Sequence, residues 1–198
     1  MKIGVDLDGP LFHFTEAYLH FHNRIYGTSF TIKDITEYDM SRRLGVSHEQ
    51  HGKDIFSFFD SPEFLAIRPF FSAIKQIRDL AEEHELCIVT ARSTTFRERT
   101  AVSVERYYNG CFRGIYHATD NAFQLHADKS EICKQLGLDF LIEDSLRNAV
   151  EVMEAGIPTT LISRPWNKQE LLPPYLRRTR WSNIQQVIKK TLVRSNNY

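Results

Sequence analysis

Cysteine is scarce: Cys87, Cys111 and Cys133 are the only three among 198 residues, and no CxxC spacing joins them. An odd, unpaired set argues against a disulfide framework or a zinc ribbon and fits the reduced thiols of a cytoplasmic chain. Net charge is lacking as well, since Lys plus Arg and Asp plus Glu both total 25. Without a global positive field, neither a nucleic acid polymer nor an anionic membrane is an expected partner, and any small anion must be held by local groups. No segment approaches the roughly 18 uninterrupted apolar residues of a membrane span. The opening MKIGVDLDGP reaches two aspartates too early for a signal peptide. A soluble, cytoplasmic protein is the expectation. Repeats and low-complexity tracts are also missing.

What is present suits one packed domain. Hydrophobic residues make up 42% and charged residues 25%, and the length allows one α/β core with a modest appendage. Four short apolar runs, Ile3–Asp6, Leu86–Thr90, Phe140–Glu143 and Thr159–Ile162, have the form of buried strands, and Gly114–His117 is a weaker fifth. Between them lie helical patterns. Phe71, Ile74, Ile77, Leu80 and Ala81 recur at helical spacing, Gly137 and Gly156 follow segments 128–136 and 146–155 as stops, and Ser182 stands ready to cap a last helix with Ile184, Val187, Ile188 and Leu192. Alternating strand and helix predict an α/β fold, with a Rossmann-like parallel sheet, helices on both faces and functional loops at the carboxyl ends of the strands. The stretch 14–68 is too long for a βα loop, and its aromatic content, including Phe14, Tyr18, Phe21, Tyr26, Phe56, Phe58 and Phe59, predicts a helical insert.

Chemistry-bearing residues cluster at the predicted strand ends. In Asp6-Leu7-Asp8-Gly9 two carboxylates leave the first strand together. So close a pair repels, and one member tends to keep its proton unless a cation lies between them. Oxygen donors with few competing nitrogens or sulfurs suit Mg2+. With that cation, Asp6 can attack phosphorus to form an acyl phosphate, while Asp8 protonates the leaving oxygen and later takes a proton from water. The same tetrapeptide also suits a turn that binds nothing.

In Val89-Thr90-Ala91-Arg92 the Thr90 hydroxyl and the Ala91 backbone N–H can hold a phosphate oxygen with Arg92 in support, although all three also suit an ordinary strand exit. Lys129 stands at a helix opening, where its charge opposes the helix dipole unless an anion is near; a surface lysine is the plain alternative. Phe140-Leu141-Ile142-Glu143-Asp144-Ser145 ends a strand in adjacent carboxylates, offering Asp144 as a metal ligand with Glu143 supporting it. Asp144 or Ser145 also suits the cap of the next helix.

In order, DLDG at 6–9, Thr90, Lys129 and Glu143-Asp144 resemble the four motifs of the haloacid dehalogenase-like superfamily. The set IGVDLDG, VTAR and LIEDS is similar to the cytosolic and bacterial 5′(3′)-deoxyribonucleotidase group. This resemblance implies a Rossmann-like catalytic core over 1–13 and 69–198 and a small helical cap over 14–68. It further implies an aspartyl-phosphate on Asp6, and Mg2+ held by the Asp6 carboxylate, the Asp8 backbone carbonyl and Asp144. The implied activity is that of a 5′-nucleotidase for nucleoside or deoxynucleoside monophosphates. Two rivals stay open: a non-catalytic phosphometabolite-binding protein, and a phosphatase or phosphotransferase for another small phosphorylated metabolite. A homodimer paired through the cap is also left open. Pro10 departs from the family pattern of Thr or Val at that place, which fixes one φ and removes one N–H in the phosphate loop.

Other features are weaker. His20 with His22 and His48 with His51 suit solvated or packed histidines better than zinc ligands. The run Leu176 to Trp181, with three arginines, suits an exposed face better than an RNA site. Phe12, Phe14 and Tyr18 are either base-stacking groups or core, and Trp166 or Asn167 either borders the pocket or belongs to a plain loop.

Overall fold

The computed structural model describes residues 1–119 and 128–195. Its centre is a sheet of β1 (Lys2–Val5), β2 (Glu85–Ser93), β3 (Ile115–Thr119), β4 (Phe140–Glu143), β5 (Thr159–Ile162) and β6 (Arg177–Thr179), in the order β3-β2-β1-β4-β5-β6. Every pairing is parallel. Successive strand residues point to opposite faces, so apolar residues on both phases demand cover on both sides. Ile3, Val5, Ile88 and Ile142 share one core with Ile77 and Leu80 of α5 (Phe71–Glu83), Val104 of α6 (Arg97–Tyr108) and Ile184 of α9 (Ile184–Ser195). Cys87, Val89 and Leu141, one residue out of step, pack with Cys133 of α7 (Ser130–Gln135) and Val152 of α8 (Leu146–Glu154). Among the described residues no helix is long and apolar enough to cross a membrane.

Four local expectations need correction. β2 runs three residues past Thr90, after an irregularity in its pairing with β3 between Thr90 and Ser93; the polar Thr-Ala-Arg-Ser sequence carries no strand signal of its own. The basic run is not merely an exposed face: Arg177–Thr179 is the edge strand β6, with Leu176 and Trp181 buried on either side. Charged side chains commonly guard an edge strand and hide its pattern. Phe71 is 80% exposed, because its helical phase lies opposite Ile77 and Leu80, and Ala73 takes the inward place. Ser182 does not cap α9 but lies inside a 3-10 turn, Trp181–Asn183, that runs into it. Ile184 and Ile188 face the core as expected, and Leu192 lies outside the residues whose side chains are described. Gly137 and Gly156 both take positive φ and end their helices.

Between β1 and α5 lie α1 (Phe14–Tyr26), α2 (Ser41–Leu44), α3 (His48–Phe58) and α4 (Pro62–Leu65). Ser47 and Ser61 cap α3 and α4 by accepting from the backbone N–H of Gln50 and Phe64, at 3.1 and 3.2 Å. Phe58 is the hub of the group, edge-on to Phe14, Tyr18 and Phe64 with centroids 5.2 to 5.5 Å apart. Such contacts contribute about 0.5–1.5 kcal/mol each beyond area burial. Phe12 and Tyr18 are fully buried and belong to the core, whereas Phe14 reaches a cavity wall.

Candidate active site

The chain leaves the sheet centre in opposite directions from β1 and β4, and the crevice at such a switch point is where parallel α/β sheets place ligands. The Asp6 N–H extends the β1–β4 ladder to the Ile142 carbonyl at 2.8 Å, and Glu143 and Asp144 end β4 directly alongside. After Asp8 the chain turns at Gly9 with φ +97°. A Cβ there would lie 1.9 Å from Asp144 Oδ2, so the turn requires glycine both for its backbone and for its nearness to β4.

Lys129 is 1% exposed, which overturns its reading as a surface lysine. It stands at the N-terminal boundary of α7 and donates to Asp6 Oδ1 at 2.5 Å and to Glu143 Oε1 at 2.8 Å. Glu143 also accepts from Asn148 Nδ2 at 2.6 Å through Oε1, and from the backbone N–H groups of Asp144 and Ser145 through Oε2. Four donors thus occupy its two oxygens. Asp6, Glu143 and Asp144 each bring an oxygen within 4.8 Å of the others, but hydrogen-bond accounting leaves Glu143 little to offer a cation and makes it the anchor of Lys129. Asp144 differs: Oδ2 accepts from Trp166 Nε1 at 3.1 Å, while Oδ1 is buried without a partner. An ionisable oxygen left bare in the interior suits a ligand to a cation. Ser145 does cap α8, accepting from the Asn148 N–H at 3.4 Å, so the capping alternative holds for Ser145 while Asp144 is turned inward.

On the other side of Asp6, Arg92 grips both oxygens of Asp8, Nε to Oδ2 at 2.7 Å and Nη2 to Oδ1 at 2.6 Å. Its guanidinium is buried among the rings of Phe14, Phe59 and Phe64, 5.1 to 5.7 Å from their centroids. Thr90 is 1% exposed and its hydroxyl oxygen accepts from the Arg92 N–H at 3.2 Å, leaving the hydroxyl hydrogen for another acceptor. Asp6, Asp8, Thr90, Ala91, Arg92 and Asp144 line one cavity of about 520 Å³, with Lys129 and Glu143 behind Asp6. Ile35, Tyr38, Met40 and His51 add a wall from the segment between β1 and α5. Nothing in the sequence marked Ile35, Tyr38 or Met40, and His51 stood out only as a packed or solvated histidine, because their place depends on how this segment settles over the sheet. Trp166 and Asn167 do more than line a loop: Asn167 Nδ2 donates to the Asp144 carbonyl at 2.8 Å. Arg164 Nε donates to the Gly9 carbonyl at 2.6 Å, and Trp181 Nε1 donates to the Pro10 carbonyl at 2.9 Å. His22 and His51 are packed histidines, and no histidine joins the acidic group among the described residues.

Burial, reinforced by the Glu143 charge and opposed by Lys129, pushes the Asp6 carboxyl up from 3.8 to about 7. Burial with Glu143 and Asp6 nearby raises Asp144 well above its ordinary range. Burial works against the charge of Glu143 too, but Lys129 and the surrounding donors outweigh it and hold that carboxyl low. Since folded Asp6 keeps a proton that the unfolded chain has lost, its contribution to stability falls as pH rises from about 4 towards 7 and levels above it, and the raised Asp144 acts in the same direction. Without divalent cation, the Tm in EDTA is expected to drop by roughly 5–10 °C between pH 5 and 7.5. Added Mg2+ should restore it progressively more at the higher pH, because ligands must be deprotonated to bind. A melting series with and without Mg2+ checks both slopes, and a Tm that climbs steadily with pH in EDTA contradicts the assignment.

Comparison with known proteins gives a consistent result. The family model described as 5′ nucleotidase, deoxy (Pyrimidine), cytosolic type C protein matches residues 1–195. Over 204 residues, and the full length of both chains, the sequence is 27% identical to "Putative nucleotidase YqfW" of Bacillus subtilis. It is 24% identical over 206 residues to a nucleotidase of Clostridium acetobutylicum, covering 98% of this chain and 97% of that one. Among solved structures, a haloacid dehalogenase-like family hydrolase from Streptococcus pneumoniae superposes with a TM-score of 0.69 at 17% identity, over 94% of this chain and 97% of the other. The shared fold is thus a Rossmann-like sheet of the haloacid dehalogenase-like type.

Proposed function

We propose, from the premise that the chain belongs to the family of 5′ nucleotidase, deoxy (Pyrimidine), cytosolic type C proteins, that it hydrolyses phosphate monoesters through an aspartyl-phosphate on Asp6. The favoured substrates are nucleoside and deoxynucleoside monophosphates, and the cofactor is Mg2+. The observation that carries this reading is the pairing of Asp6, gripped by a buried lysine, with the bare buried oxygen of Asp144 at the floor of one cavity.

Asp6 and Asp144 are the carboxylates that would hold the cation, with the Asp8 backbone carbonyl as a further oxygen ligand. When bound, Mg2+ neutralises the crowded negative charge and polarises the phosphoryl group. Asp6 attacks phosphorus, the bond to the leaving oxygen breaks, and Asp8 supplies the proton that this oxygen takes up. Asp8 then removes a proton from the water that cleaves the acyl phosphate. Thr90 and the Ala91 N–H hold phosphate oxygens, and Lys129, anchored by Glu143, balances charge on Asp6. Residues 14–68 act as the cap over a core of 1–13 and 69–198, and their cavity wall selects the leaving group. The free thiols of Cys87, Cys111 and Cys133 are in keeping with a cytoplasmic setting.

Phosphate release from a panel of nucleoside monophosphates and sugar phosphates tests the proposal. Turnover should be highest on nucleotides, stop in EDTA and return with Mg2+. Phosphate binding without turnover of any member would make the chain a binding protein. Transfer to an added alcohol in preference to water would make it a phosphotransferase.

A further inference from the structure

The hydrogen bonds around the acidic cluster limit how each carboxylate can meet a cation. On Asp6, Oδ1 accepts from Lys129 Nζ, and on Asp144, Oδ2 accepts from Trp166 Nε1. Glu143 has four donors on its two oxygens. What Asp144 presents is Oδ1 alone, buried and without a protein partner. Asn167 Nδ2 ties the Asp144 carbonyl to the Ile162 carbonyl, at 2.8 and 2.9 Å, which fixes the backbone that carries the side chain, while the Trp166 N–H orients the carboxylate plane itself. Gly9 also backs the carboxylate on the Oδ2 side. Gly9 lies so close that even a methyl group there would collide with Oδ2 and touch the Trp166 ring at 3.1 Å.

Cations differ in what they demand of carboxylates. Mg2+ takes six oxygens at short distances, with waters and carboxylates that each give one oxygen, whereas Ca2+ takes six to eight and often grips a carboxylate through both. A carboxylate with one oxygen engaged by an indole N–H is suited to the first demand and poorly suited to the second. We propose that Trp166 is a positioning residue that holds Asp144 to one-oxygen ligation and thereby sets the site's preference for Mg2+ over Ca2+. The inference rests on the reading that this cluster binds a divalent cation, and it adds the residue that selects among such cations.

Melting temperatures of the full chain titrated with MgCl2 and with CaCl2 test it without recourse to activity. The native protein should respond to Mg2+ at lower concentration than to Ca2+. Trp166→Phe keeps the ring and loses the N–H, so its Mg2+ midpoint should rise about 10–100-fold, the usual range when a group that orients a metal ligand is lost. Its Ca2+ midpoint should move less, shrinking the preference by at least about threefold. Trp166→His, which restores a ring N–H, should recover most of the difference. A preference in Trp166→Phe within about twofold of the native one would overturn the role of Trp166. Should Trp166→Phe not fold, the emission of Trp166 in a Trp181→Phe background gives a second measurement. That emission should change with Mg2+, and emission indifferent to Mg2+ would also overturn the inference. A native protein whose melting ignores both cations would remove the cation reading itself, an outcome distinct from a site that binds both alike.

Discussion

Asp6→Asn is expected to lower phosphate release by at least about 10³-fold, the scale seen when a covalent nucleophile is removed. The amide is nearly the same size, so the loss would be chemical. An amide oxygen is a far weaker nucleophile towards phosphorus and cannot form the acyl phosphate. Folding should survive. In the cation-free chain burial and Glu143 already push the Asp6 carboxyl up to about 7, so its charge is disfavoured where it sits. A neutral amide relieves that repulsion while still accepting from Lys129, and the variant should melt no lower than the native chain in EDTA at pH 7.5. Rapid-quench assays and melting curves read the two halves of this expectation. Turnover within about tenfold of native, in a folded Asp6→Asn protein, would exclude Asp6 as nucleophile.

Lys129→Met should act on both stability and rate. The ammonium is 1% exposed and hydrogen-bonds to two carboxylates that are themselves buried. Although burial opposes its charge, the contacts with Asp6 and Glu143 raise the pKa of Lys129, and it stays protonated across the working range. Truncation strands the Glu143 carboxylate in the interior and removes the cation that favours the ionised form of Asp6, a change that typically costs about 3–5 kcal/mol. For a chain of this size that corresponds to a fall in Tm of roughly 6–20 °C. Asp6→Asn in the same chain should return part of the loss at pH 7.5, because the amide cannot ionise beside Glu143, and a double-mutant cycle isolates that coupling. Strict additivity of the two changes would show that the Lys129 to Asp6 contact contributes nothing to the native state. Phosphate release by folded Lys129→Met should fall by at least about 10²-fold, as charge developing on transfer loses its nearest compensation.

Much of this arrangement was legible beforehand because strands and turns leave local marks. Brief apolar runs stopped by acidic residues placed Asp6 and Asp144 at strand ends, and parallel α/β architecture makes strand ends the functional edge; Thr90, expected at such an end, lies three residues inside β2. β6 was missed because arginines, not apolar residues, fill an edge strand of three residues. Phe71 shares helical spacing with Ile74, but the sheet selects the phase of Ala73, Ile77 and Leu80, which spacing alone does not encode. Lys129 had no local sign of burial, since lysine is ordinarily a surface residue.

The sequence by itself determined the chemical inventory and its order: paired aspartates after β1, a threonine within β2, a lysine before α7 and an acidic pair at the end of β4. Local period and turn chemistry suffice for that, since each depends on neighbours a few residues away. Only the tertiary structure decided which oxygen of each carboxylate is spoken for. Arg92 meets Asp8 across 84 residues, Lys129 meets Asp6 across 123, and Trp166 meets Asp144 across 22. Such contacts follow from sheet order and close packing, which no local pattern encodes. They turn Glu143 into an anchor and Asp144 into the carboxylate with one open oxygen.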